Sequence, residues 1–259
     1  MRMMKKVLGT VTVLALSVSL LAGCGSTAVS PVSSTASTAA ESTTSSVVSE
    51  TTSAAADENA AAAAQLLNDL TGSYQELWPV ILADEYQQTW LDDCTAIVGE
   101  ENAEAAFEKL SSMVTSDVYG EDAVEAYANG GGAYFCGFTN SLATLTFDGE
   151  TSTISGTDKD GNVLFSHTYH YIGMEPVHGL YEFESDDADS GEFTYFFLAP
   201  DTSAETYHIE FRYGSDAEAL SQYDAGEYAY WVASGISTDC DQTMIDNCIE
   251  LFCTENLAG

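Results

Sequence analysis

The sequence predicts a mainly β (α+β) fold: an antiparallel β-barrel with a short helical insert and terminal helices. Three observations predict it. Beyond Gly132, seven short β-prone runs follow one another, at 133–138, 142–148, 151–156, 162–171, 177–185, 192–199 and 206–213. Asp148-Gly149 and Asp160-Gly161 fall between runs, where tight hairpins need residues that tolerate positive φ. The 259 residues are 45% hydrophobic and 11% aromatic, enough to fill the inside of a curled sheet.

The chain opens with Arg2, Lys5 and Lys6, then an apolar stretch from Val7 to Ala22 that is short for a membrane span. Residues 1–23 therefore read as a secretory signal. The stretch ends in Leu20-Leu21-Ala22-Gly23-Cys24, which resembles the bacterial lipobox, in which the cysteine is diacylated and becomes the new N-terminus. An acylated Cys24 holds a protein to a membrane without spanning it. Residues 24–56 are the anchor and a Ser/Thr/Ala-rich tether, too poor in apolar surface to order itself. As a flexible coil that tether averages about 30 Å end to end, and it reaches roughly 110 Å when extended.

Residues 57–259 form the predicted domain. Asp57 is a candidate N-cap for a helix whose stripe is Leu66, Leu67 and Leu70, stopped by Thr71-Gly72. Ser73 to Leu82 reads as a first strand, ended by Pro79. Short helices are expected at 85–97, 101–114 and 121–128, with Gly130-Gly131-Gly132 closing the insert. After the seven β runs come a helix near 216–222, the aromatic residues Tyr228, Tyr230 and Trp231, and a last helix over about 240–254.

Charge narrows the function. The chain carries 41 acidic and six basic residues, a formal net charge of −35. Removal of the signal leaves Lys109, Lys159 and Arg212 against all 41 acids, a difference of −38. Nucleic acid is excluded as a partner, because binding phosphates requires Lys and Arg to displace counterions. Cations are favoured. Five cysteines remain beyond Cys24 (Cys94, Cys136, Cys240, Cys248 and Cys253), an odd number with no zinc-ribbon or CxxC spacing, and their pairing is open.

Several segments in order resemble the ZinT (YodA) family of secreted zinc- and cadmium-binding proteins. They begin with Leu70-Thr71-Gly72-Ser73-Tyr74 and Thr89-Trp90, and continue with Ala123-Val124-Glu125-Ala126-Tyr127. The best-matched block is Tyr181-Glu182-Phe183-Glu184, Asp189-Ser190-Gly191, Ala199-Pro200, Thr206 to Phe211 and Asp216 to Leu220. The resemblance implies a calycin-like, lipocalin-related barrel, zinc as the ligand and a metal transporter as a partner. It also implies a three-histidine site, two of them in an H-x-H pair on the strand matching Thr206 to Phe211. Here that pair reads Thr206-x-His208, and the loop upstream has no histidine.

Zinc needs three or four N, O or S donors converging at about 2.0–2.3 Å. The four histidines are His167, His170, His178 and His208. Alternation along a strand puts His208, Glu210 and Arg212 on one face of the last run, and His178, Leu180, Glu182 and Glu184 on one face of the run at 177–185. His167 and His170, three apart, point oppositely. The candidate metal ligands are therefore His208 with His178 or His170, and a carboxylate from Glu210 or Glu182. Asp158 to Asn162 and Asp186 to Gly191 have acidic spacing but lack the bidentate Glu of an EF-hand, and read as turns. The motifs G-x-S-x-G, H-E-x-x-H and G-x-x-x-x-G-K are absent from the sequence, which reads as a non-enzyme. The expectation is an extracytoplasmic, lipid-anchored zinc-binding protein. The alternative is a lipocalin-like lipoprotein that binds a small organic or sugar ligand, or a protein partner.

Overall fold

A computed structural model describes residues 58–114, 116–130, 132–200 and 208–258. The signal, the lipobox, the tether and Asp57 lie outside the described residues, as do Thr206 and Tyr207. A helix covers 58–69 (α1). Its buried residues Ala63, Leu66 and Leu67, continued by Leu70 in the turn that follows, recur at the helical period, so one stripe faces the barrel core.

β1 (Gly72–Glu76) is shorter than expected, and α2 (Leu77–Ile81) follows it directly. Pro79 sits in the first turn of α2, where its missing N–H costs no helical hydrogen bond. The segment predicted as one strand thus splits at Glu76. A 3-10 turn (Asp84–Tyr86), α3 (Gln87–Val98), α4 (Glu100–Met113) and α5 (Glu121–Ala128) make the helical insert. The run at 133–138 forms only a single bridge, Phe135 to Trp231, and is not a strand.

The remaining strands are β2 (Thr144–Asp148), β3 (Thr153–Thr157), β4 (Val163–Met174), β5 (Tyr181–Ser185), β6 (Tyr195–Leu198), β7 (His208–Gly214) and β8 (Ala233–Ser237). They close into an eight-stranded antiparallel barrel in sequence order, with β1 paired to both β2 and β8. β8, with two small and two hydroxyl side chains in Ala233-Ser234-Gly235-Ile236-Ser237, escaped prediction because it carries one large apolar residue. α6 (Ala217–Leu220) lies between β7 and β8, and α7 (Gln242–Leu257) ends the chain behind an Asp241 cap that accepts from Met244 N.

Two cores result. Inside the barrel, Phe147, Phe183, Phe196, Phe211 and Tyr213 are essentially inaccessible and fill the space with rings. Tyr213 Oη there donates to Thr139 O at 2.9 Å, so its polar end is satisfied. Outside the barrel, α2, α3, α4 and α7 pack around Trp90 and cover Ile236 of β8. Trp90 Nε1 donates to Ile81 O at 2.7 Å, tying α3 to the end of α2.

Candidate functional site

The histidines are distributed by strand pairing. In β4 the alternation holds: His167 lies inward between Phe165 and Tyr169, while His170 stands on the outer face. His167 Nδ1 is 2.8 Å from Asp187 Oδ2. His170 pairs across to Glu184 of β5. Its Nδ1 is 2.8 Å from Asp186 Oδ1, and its Nε2 is 3.9 Å from Glu184 Oε2.

A carboxylate only accepts, so the contact with Asp186 requires a proton on Nδ1, and in the tautomer that carries its proton there Nε2 is the free donor atom. Nε2 faces Glu184, itself held through Oε1 by Tyr195 Oη at 3.2 Å. A cation between Nε2 and Oε2 would have two protein donors, with Asp186 as the outer carboxylate that fixes the imidazole.

His178 lies elsewhere. The run expected at 177–185 begins as a strand only at Tyr181, and residues 175–180 are a turn. Glu175, fully buried, makes that turn by accepting from Val177 N at 2.9 Å and His178 N at 2.6 Å. Strand alternation therefore does not place His178 on the face of Glu182, and Leu180 joins the barrel core. The ring of His178 packs 3.8 Å from that of Tyr223, with Nδ1 buried, unbonded and 3.6 Å from Glu175 Oε2. Glu182 is half-buried, and its carboxyl is pushed up first by burial and then by the charge of Glu175.

Arg212 shares this outer layer. It is fully buried, and its guanidinium donates to the carbonyls of Leu220, Gln222 and Tyr228. The orphan carbonyls at the end of α6 are thereby satisfied. Burial lowers the Arg212 pKa, while Tyr223 and Glu175 act to keep it charged.

His208 and Glu210 are half-buried on β7, opposite Ile236 and Ser234 of β8. The negative charge of Glu210 helps to raise the buried thiols of Cys136 and Cys248, which places it toward the helix-covered side. Register separates these residues from His170. The row His170, Glu184, Tyr195, Gly214 ends six residues along β7 from His208. Six residues span roughly 20 Å and three strand spacings about 14 Å. The expected ligands thus fall into three places: His170 on β4, His178 and Glu182 around Glu175, and His208 with Glu210. Among the described residues no group of three or more His, Cys, Asp or Glu is placed to hold a metal ion.

Glu184, Asp186 and Glu175 were missed as site residues. The pairing of 170 with 184 follows from a hairpin closed between them, so Glu184 had a signal. Asp186 and Glu175 had none beyond acidity, since their roles arise from the turns they close.

The acidic loops behave as turns. Asp158 Oδ1 accepts from Asp160 N and Asn162 N, and Oδ2 from Asn162 Nδ2, which lowers its pKa. One further feature is a cleft of about 430 Å³ lined by Tyr119, Gly120, Glu121, Asp122 and Glu227.

No family model matches the sequence, and no curated protein matches it. The solved structures similar to this chain include two zinc-bound ones. One is the Zn(II)-bound ZinT-like domain of Streptococcus pneumoniae AdcA, at 15% identity and a TM-score of 0.45, over 71% of this chain and 89% of that one. The other is Zn(II)-bound AdcA from the same organism, at 14% identity and a TM-score of 0.42, over 72% of this chain. The chain spans 35% of the length of that second protein.

Proposed function

We propose that this protein is an extracytoplasmic, lipid-anchored binding protein, not an enzyme, that captures a divalent cation on the outer face of its barrel, with zinc as the cargo. The observation that supports it is the His170 arrangement: Nδ1 held by Asp186 and Nε2 directed at Glu184 on an accessible face. Imidazole plus carboxylate is a donor set that suits zinc. The chain's large excess of acids raises the local concentration of any cation. Two protein donors leave the other positions to water, so the ion exchanges readily, as delivery to a metal transporter requires. His208, His178, Glu210 and Glu182 have no part in this first capture site.

The rings that fill the barrel speak against an organic or sugar ligand held inside it in the manner of a lipocalin. A protein partner would meet the outer face of β4. There Ile172, 40% exposed, is the extra residue of a bulge between Tyr171 and Gly173, two positions from His170.

Calorimetric titration of the mature protein with zinc tests the proposal. Micromolar binding weakened at least about tenfold by His170→Ala supports it. Binding that His170→Ala leaves unchanged refutes the site.

A further inference from the structure

The cysteines carry a second inference. Cys94 on α3 and Cys253 on α7 are both fully buried, and their sulfurs lie 3.9 Å apart. The helices that carry them pack side by side against the outer core, so the two sulfurs face each other across a helix–helix contact. Closing the pair to bonding distance, about 2.05 Å, requires the two sulfurs to approach by roughly 2 Å.

We propose that Cys94 and Cys253 form a disulfide in the mature protein, a covalent clamp of the C-terminal helix onto α3. The proposal rests on the extracytoplasmic reading above, since structural disulfides persist in oxidising compartments. The oxidant is a disulfide, either of a protein thiol–disulfide oxidoreductase or of a small molecule such as oxidised glutathione. One cysteine thiolate attacks a sulfur of the donor, expelling a donor thiolate and leaving a mixed disulfide. The second cysteine thiolate then attacks the protein sulfur of that mixed disulfide and expels the other donor thiolate. Two electrons pass to the donor, and the two thiol protons end on its thiols or in solvent.

Both thiols are inaccessible while α7 is docked, so no donor disulfide reaches them there, and burial also raises both of them. The exchange therefore occurs while the C-terminal helix is still undocked, late in folding, and docking then seals the bond from reduction. All five cysteines are free in the structure, and the proposal leaves Cys136, Cys240 and Cys248 as thiols.

The test uses the full chain recovered from the membrane, denatured in alkylating reagent without reductant, digested and analysed by mass spectrometry. The expected result is a linked pair of peptides containing Cys94 and Cys253, lighter than the two thiol peptides by two hydrogens. Alkylated Cys136, Cys240 and Cys248 should accompany it. Reduction under mild denaturation should lower the subsequent melting midpoint by about 5–15 °C. Alkylation of Cys94 and Cys253 in chain whose Cys24 carries lipid overturns the proposal. A chain found unacylated in the cytoplasm defeats the localisation instead. In that event refolding the reduced protein with oxidised glutathione decides the pairing: a Cys94–Cys253 link upholds it, and no link or a different one overturns it.

Discussion

The guanidinium carbon of Arg212 lies 4.2 Å from the centroid of the Tyr223 ring, and the ring of His178 packs on the same tyrosine at 3.8 Å. Arg212 is one of three basic residues beyond Lys6, and it is spent wholly inside the fold. Its hydrogen bonds to Leu220, Gln222 and Tyr228 bind α6 and the segment behind it to β7. Arg212→Met keeps the length of the side chain but strands those carbonyls and leaves Glu175 without its nearby cation. A loss of about 3–5 kcal/mol is expected, since removing one member of a buried charged network leaves the rest unsatisfied. Urea denaturation of the variant checks it, and a midpoint equal to wild type would contradict it.

Gly149 closes the β2–β3 turn against α1. A Cβ there would stand 2.4 Å from Asn68 Cα, 2.5 Å from Asn68 N and 2.6 Å from Leu67 O, all backbone atoms that cannot swing aside. Gly149→Ala should therefore displace α1 from the barrel core and cost roughly 1–3 kcal/mol. Thermal denaturation and hydrogen exchange over residues 63–70 should both report the loss.

Stability should fall in alkali. Burial pushes the thiols of Cys136 and Cys248 up to about 12, from an ordinary value of 9.0. Between those values the unfolded chain releases these protons and the folded chain keeps them. Fewer bound protons in the unfolded state mean that unfolding becomes easier as pH rises, by up to about 1.4 kcal/mol per pH unit for each thiol. Denaturant midpoints at about pH 8, 9 and 10, roughly the start of that window, should decline in wild type. The decline should be shallower in Cys248→Ala.

The resemblance of residues 20–24 to a lipobox makes its own prediction. Intact mass of the membrane fraction should show a chain beginning at Cys24 with a diacylglyceryl addition. Cys24→Ser should abolish that addition and leave the signal uncleaved.

The barrel was largely legible in the sequence because its strands alternate and its hairpins are marked by Asp-Gly pairs. Two elements were not. Leu77 to Ile81 looks like a continuation of β1 by composition, and only packing on α7 and β8 makes it a helix. β8 has too little apolar surface to announce itself, and it is a strand because β1 and β7 need a partner on each side. The candidate site was half legible. His170 was among the expected ligands, whereas its carboxylates come from a strand register and a turn. Alternation failed for His178 because Glu175 draws the chain into a turn just before β5.

Asp186 and Glu184 should be separable by their effects on zinc. Asp186→Asn disturbs only the orientation of the ring and should weaken binding by about 10-fold. Glu184→Gln removes a direct donor and should weaken it further.

The most direct measurement is a zinc titration of wild type beside His170→Ala and His178→Ala. The account predicts one exchangeable ion per chain, lost on replacing His170 and retained on replacing His178. Equal binding by wild type and His170→Ala, or loss of the ion through His178→Ala alone, would contradict it.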